Sequence, residues 1–207
     1  MNQMNTRSCE NLRRFLQSIT RLVERTAEEK ALLETGTRLM QTLIAHDDWL
    51  PEALAQPDAT YYRQYLLYGD PLDRFSLVSF VWGPGQRTPI HDHTVWGIIG
   101  VLRGAEMSQR FRITETGPMP HGAPERLEAR DIAIVSPTVG DVHEVRNAYD
   151  DRVSISIHLY GGNIGRIARH VFDPASGRTK RFTSGYSNEM MPNPWWQPPA
   201  MPSSAPA

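Results

Sequence analysis

At about residue 71 the chain changes its hydrophobic period, and that change limits the fold more than any single motif does. Before it, apolar residues recur at three- and four-residue steps, as on one face of a helix. One such run holds Leu12, Phe15, Leu16, Ile19, Leu22 and Val23; a second holds Leu32, Leu33, Leu39, Met40, Leu43 and Ile44. Thr26 with Glu29 reads as a capping box that opens the second helix. Gly36 falls inside it and is expected to weaken its continuity. Pro51 after Trp49 and Leu50 opens a turn, and Asp58 is expected to cap a third helix over ATYYRQYLLY.

Beyond the change, short runs rich in β-branched and aromatic residues are broken by Gly, Pro and Asp. RFSLVSFVW, VWGIIGVLRG, AEMSQRFRIT, RDIAIVS and RVSISIHLY all read as strands. In the last of these, Ser154, Ser156 and His158 alternate with Val153, Ile155, Ile157 and Leu159. A strand puts the first set on one face and the second on the other. Many short strands separated by turn signals suggest a sandwich or barrel. The expected organisation is one domain. Helices in 1–70 pack on a β-barrel in 71–175, and 176–207 form an extension ending in the proline-rich MPNPWWQPPAMPSSAPA. That tail is expected to be extended, ordered only if Trp195 and Trp196 dock on a surface.

Composition narrows the function classes. The formal net charge is -1, so no global field draws the chain to nucleic acid or to a membrane surface. No run approaches the ~20 apolar residues of a membrane span. The one cysteine, Cys9, excludes an intramolecular disulfide and a cysteine-based zinc site. A cytoplasmic protein is expected.

Seven histidines are present. His46 and His121 sit in polar, turn-like surroundings and read as surface residues; His170 follows Arg166 and Arg169 and is given no role. His91 and His93 stand in PIHDHT. In a strand, positions i and i+2 share a face, so both imidazoles can reach one point. Neutral imidazole is a ligand for zinc, copper, iron and nickel, although two histidines on a solvated strand face would give the same pattern.

The surrounding residues extend the pattern. Gly85, His91, His93 and Gly104 stand at the spacings of the first cupin motif, but Gly97 occupies the place of its glutamate. Gly140, His143 and Asn147 resemble the second cupin motif, with Pro137 one residue further from the glycine than usual. The resemblance implies a mainly β cupin barrel, a double-stranded β-helix or jelly roll, with an N-terminal helical segment and one metal held by His91, His93 and His143. Three neutral ligands would leave the full +2 charge of the metal unbalanced and favour anionic ligands such as a thiolate or carboxylate.

Three histidines without the glutamate resemble the thiol dioxygenases, the cysteine dioxygenase family of the cupins. SISIHLYGG is similar to that family's Ser-x-His-x-Tyr strand, and implies a hydrogen-bonded relay through Ser156, His158 and Tyr160. The resemblance spans roughly residues 58 to 172. The animal members carry a cysteine cross-linked to the tyrosine; Gly97 stands there, so no thioether is expected at Tyr160. They also carry a substrate-binding arginine where this chain has Gln64. In that respect the chain resembles the bacterial branch that prefers 3-mercaptopropionate, in which a later arginine, mapping to Arg169, binds the carboxylate. Arg166 is its rival, and Arg63 reads as a surface residue. The implied function is an iron(II) thiol dioxygenase that takes a small thiol and O2 to a sulfinate, as a monomer or weak homo-oligomer. A zinc-dependent hydrolase or hydratase and a non-catalytic small-molecule-binding cupin stand as alternatives.

Overall fold

A computed structural model describes residues 6–193; the Trp195-Trp196 tail lies outside the described residues. Two helices lead the chain, α1 (Thr6–Arg25) and α2 (Glu29–Ile44). Gly36 does not interrupt α2. A Cβ at that position would lie 2.5 Å from Ile98 Cδ1, so the missing side chain lets the helix approach the sheet beneath it. The capping box does not form. Thr26 Oγ1 instead accepts the Glu28 N–H at 3.0 Å, and the Glu29 carboxylate accepts hydrogen bonds from Ser136 and Thr138. Two hydroxyls of a distant loop outcompete the helix end for that carboxylate.

Strands follow. They are β1 (Arg63–Gly69), β2 (Ser76–Trp82), β3 (Ile90–His91), β4 (Gly97–Arg103), β5 (Ala105–Thr114) and β6 (Gly117–Pro120). After them come β7 (Glu125–Glu128), β8 (Ile132–Val135), β9 (His143–Asn147), β10 (Ser154–Tyr160), β11 (Arg169–Phe172) and β12 (Thr179–Phe182). One sheet has the order β1-β2-β10-β4-β8; the other runs β12-β11-β3-β9-β5-β6, with β7 also paired to β5. The pairings are antiparallel, giving the mainly β cupin architecture with helices on one side.

The third expected helix is a strand instead. Residues 63–69 form β1, and Asp58 accepts the N–H groups of Thr60 and Tyr61 in a turn. Both faces of β1 find apolar cover, which suits aromatic residues in a sheet better than a one-sided helix. Tyr65 and Leu67 pack toward the helices, and Tyr62 and Leu66 pack into the barrel.

The alternation in β10 sorts two layers. Ile155, Ile157 and Leu159 join Leu12, Leu16, Ile19 and Ile44 in the core beneath the helices. Fully burying each such side chain is worth about 1.5–3 kcal/mol. The opposite face of β10 looks into the barrel, where Val78, Phe80, Trp82 and Val145 surround Tyr160. Among the described residues no helix is long and apolar enough to cross a membrane.

Candidate metal centre and its cavity

β3 and β9 bring the three histidines together. His91 and His143 stand opposite each other in the ladder, and His93 follows β3 on the same side. Their ring centroids are 4.8, 4.9 and 4.9 Å apart, and one nitrogen of each lies within 4.8 Å of the other two. Each Nδ1 faces an oxygen. For His91 it is the Pro89 carbonyl at 3.0 Å, for His93 the Asp141 carboxylate at 3.0 Å, and for His143 the Ser108 hydroxyl at 3.4 Å. With each Nδ1 so engaged, the three Nε2 atoms remain to face one another. Second partners of this kind fix the tautomer and aim of a metal-binding imidazole.

Electrostatics agree with a cation site. Burial, with His93 close by, pushes His91 down to about 3. Burial and the two neighbouring imidazoles hold His143 well below its ordinary value. Both rings stay neutral near pH 7 and can each offer a lone pair. Burial works to raise Asp141, but its hydrogen bonds to the His93 ring and the Thr94 N–H outweigh this and keep it below the usual carboxylate range. Three convergent imidazole nitrogens with a carboxylate behind one of them suit a divalent transition metal. Asp141 is a residue that sequence reasoning missed. It qualifies the expectation of an unbalanced +2 charge, because an anion sits one imidazole away.

Beside this cluster, β10 aligns a chain of polar groups. Ser156 Oγ lies 2.7 Å from His158 Nε2, and His158 Nδ1 lies 2.8 Å from the Tyr160 hydroxyl. All three residues are buried. The Tyr160 ring stacks on His93 with centroids 5.5 Å apart, so the end of the chain adjoins the histidine cluster. Phe80 stacks on His158 at 4.1 Å and Trp82 donates its indole N–H to Ser156 at 3.2 Å.

A cavity of about 280 Å3 opens onto these groups, and Gln64 and Arg169 line it as well. Arg169 is 4% exposed. It donates to Ser184 Oγ at 2.6 Å and lies 4.7 Å over the Phe182 ring, while its Nε has no partner. Among the described residues no carboxylate pairs with it, and burial lowers its pKa. Gln64 Nε2 donates to the Gly185 carbonyl at 2.6 Å. The two other arginines are elsewhere: Arg166 is exposed and pairs with Asp73, and Arg63 pairs with Asp58. His46 and His121 are exposed, as expected. His170 does have a partner, the Asp92 carboxylate at 2.8 Å. β12 and Ser184 come from the stretch expected to be an extension, yet they wall the cavity beside Arg169.

The family model for cysteine dioxygenase type I matches residues 3–173. The chain belongs to that family. Cysteine dioxygenase type 1 of Rattus norvegicus is 24% identical over 119 residues, covering 56% of this chain and 58% of the relative. The Danio rerio protein of the same name is 27% identical over 134 residues, covering 62% and 64%. The match thus spans about three fifths of these relatives' length. A solved Klebsiella pneumoniae protein with a double-stranded β-helix domain shares 22% identity, with 54% of this chain and 87% of that chain covered at a TM-score of 0.43.

Within this cysteine dioxygenase family member, Gly97 has a spatial reason to lack a side chain. It stands opposite Tyr160 in the β4–β10 ladder, and a Cβ there would lie 2.9 Å from the tyrosine ring and 2.9 Å from Val135. The phenol fills the space that a cysteine or glutamate would need. Cys9 lies in α1, on the helical side of the sheet. Asp141→Asn is expected to weaken divalent-metal affinity by about 10- to 100-fold, the usual cost of losing an outer partner of a ligating histidine. Competition with a chromophoric chelator measures it, and unchanged affinity would remove Asp141 from the centre.

Proposed function

We propose that the chain is an iron(II)-dependent thiol dioxygenase that converts a small carboxylated thiol and O2 into the corresponding sulfinate, with 3-mercaptopropionate as the favoured substrate. The observation that carries this reading is Arg169. A buried guanidinium without a carboxylate partner shares one cavity with three convergent imidazoles. Such a group calls for an anion brought by a ligand, since buried charges are normally paired.

His91, His93 and His143 would hold the iron. When bound, it supplies the positive charge that favours the thiolate and the redox chemistry that lets O2 react with sulfur. The chain's own residues do the rest. Arg169 holds the carboxylate through charge-assisted, parallel hydrogen bonds. Gln64 lines the same wall and can add a neutral hydrogen bond. Tyr160, held by His158 and Ser156, presents its hydroxyl at the edge of the histidine cluster, where it can bond to oxygen or to the substrate. Phe80, Trp82 and Phe182 give the cavity an apolar lining. The reaction adds both oxygen atoms to sulfur, and the thiol proton ends on the sulfinic acid.

The lining also supports the choice of thiol. Its charged side chains are Arg169 and Lys180; no Asp or Glu is among the described lining residues. The ammonium of cysteine or cysteamine would find no counter-charge there, whereas 3-mercaptopropionate brings only an anion. A reducing compartment such as the cytoplasm would keep that thiol reduced.

Iron-loaded protein given 3-mercaptopropionate is expected to consume one O2 per 3-sulfinopropionate formed, with lower kcat/KM for cysteine and cysteamine. Turnover of another substrate without oxygen uptake would favour a zinc hydrolase, and binding without turnover a storage or sensing cupin. Arg169→Ala is expected to lower kcat/KM for 3-mercaptopropionate by about 10- to 100-fold, since a hydrogen bond to a charged group is worth about 1.5–3 kcal/mol. The loss should appear mainly in KM, with Arg166→Ala as a neutral control. Equal effects of the two substitutions would refute the assignment.

A further inference from the structure

β5 buries a carboxyl group that the reaction above does not use. Glu106 is 1% exposed. The hydrogen-bonding groups beside it are the Ser156 hydroxyl and the Trp82 indole N–H, and its Oε1 has no partner. Its ladder neighbours are Leu127 and Asn147. Asn147 cannot serve it: Nδ2 donates to the carbonyls of Trp82, Gly83 and Arg152, and Oδ1 accepts from Ser154 and Tyr149. Arg126 and Arg146 stand opposite Met107, the next residue, and so belong to the other face of the strand. Arg110 is on the Glu106 face, but its guanidinium donates to the Ile134 carbonyl. From β10, His158 faces Glu106 through Ser156, and the Tyr160 phenol feels its charge through space.

We propose that Glu106 terminates the Ser156–His158–Tyr160 chain, and that its protonation state sets the direction in which the chain donates hydrogen bonds. Proton counting gives the consequence. A serine hydroxyl carries one proton and a neutral imidazole carries one N–H. When Glu106 is ionised, the Ser156 O–H donates to the carboxylate. Ser156 Oγ then accepts from His158 Nε2–H, and the bare Nδ1 accepts the Tyr160 O–H. The tyrosine offers the cavity only a lone pair. When Glu106 is protonated, its O–H donates to Ser156, the Ser156 O–H donates to Nε2, and Nδ1–H donates to the Tyr160 oxygen. The Tyr160 O–H is then free to donate into the cavity. No net charge moves at His158 in either state; only its tautomer changes.

Burial raises the Glu106 carboxyl to about 7, so both states are within reach near neutral pH. The geometry of the switch is the hydrogen-bonded chain from Tyr160 through His158 to Ser156, with the buried Glu106 carboxyl beyond it. Its bearing on catalysis rests on the thiol oxygenation proposed above. Glu106 is thus a positioning residue that decides whether Tyr160 is a donor or an acceptor toward bound ligand.

Nitrogen-15 NMR of histidine-labelled full-length protein, loaded with diamagnetic zinc, reads the His158 tautomer directly; a His158→Asn sample assigns the signals. The expected result is Nδ1–H at pH 5.5 and Nε2–H at pH 8.5. The carboxyl carbon of 13C-labelled Glu106 should titrate with the same midpoint. In Glu106→Gln the tautomer should not change with pH, and the iron-loaded variant should lose the corresponding inflection in its kcat profile. One tautomer at every pH in the unaltered protein, or different midpoints for Glu106 and His158, would overturn the proposal even if the variant fails to fold. A tautomer switch without oxygenase activity would sustain it and sink the oxygenase reading; activity without the switch would do the reverse.

Discussion

His143→Ala should leave a folded protein that neither retains a divalent metal nor consumes oxygen with any thiol. His91 and His93 sit two residues apart, so they approach a metal from one segment of the chain only. His143 is the ligand that crosses from β9 and closes the third side. Without it, the two remaining imidazoles form an open pair whose affinity should fall by more than the ~10- to 100-fold cost of losing an outer partner. His121→Ala, at an exposed position, is the matched control. Metal content after gel filtration and oxygen uptake with 3-mercaptopropionate measure the effect. Full metal occupancy in His143→Ala would show that the centre is not built from these three side chains.

The sequence made much of this centre legible, because strand alternation carries position as well as type. The two-residue spacing of His91 and His93, and of Ser156, His158 and Tyr160, already puts each set on one face. The observed layers keep that order, with Ile155, Ile157 and Leu159 turned toward the helices. Tyr61 to Tyr68 misled because an aromatic-rich run offers apolar residues at helical and strand spacings alike. Only the pairing of Gln64 with Phe80 and Leu66 with Val78 decides between them. Asp141 and Glu106 were missed for a different reason. A single carboxylate in a sequence reads as solvated until the fold supplies its partner, here an imidazole for one and a buried hydroxyl for the other. Asp141, two residues before His143 in the second motif, could have been suspected as the partner of a histidine. Glu106 could have been placed by counting from Ser108 and Arg110 along β5, whose alternate residues share its face. β12 carried no such signal, since Thr179 to Phe182 lacks an apolar alternation and is held by its ladder with β11.

Acid should destabilise the metal-free protein steeply, and the slope can be worked out from the buried groups. Burial holds His91, His143 and His158 below their ordinary value, His91 at about 3. The unfolded chain protonates such imidazoles near pH 6.5, while the native protein keeps them neutral. Below that pH the unfolded state therefore binds up to three more protons, and their contribution to stability is lost as pH falls from 6.5 toward the native values. Glu106 acts with the opposite sign. Its native carboxyl stays protonated up to about 7, whereas in the unfolded chain it ionises near 4.5, so between these values the native state holds one extra proton. The net difference is about two protons, and stability should fall by about 3 kcal/mol for each pH unit near pH 5. Against a typical domain stability of about 5–15 kcal/mol, that slope unfolds the protein within a few pH units. Urea denaturation of metal-free protein from pH 7.5 to 5 measures it, and a flat profile would contradict the burial of the neutral imidazoles. Glu106→Gln should steepen the slope to about three protons, near 4 kcal/mol per unit. It should also gain stability relative to the unaltered protein above pH 7, where the parent must bury an ionised carboxylate. Bound metal should shift the whole acid transition to lower pH, because protons and the metal compete for His91 and His143.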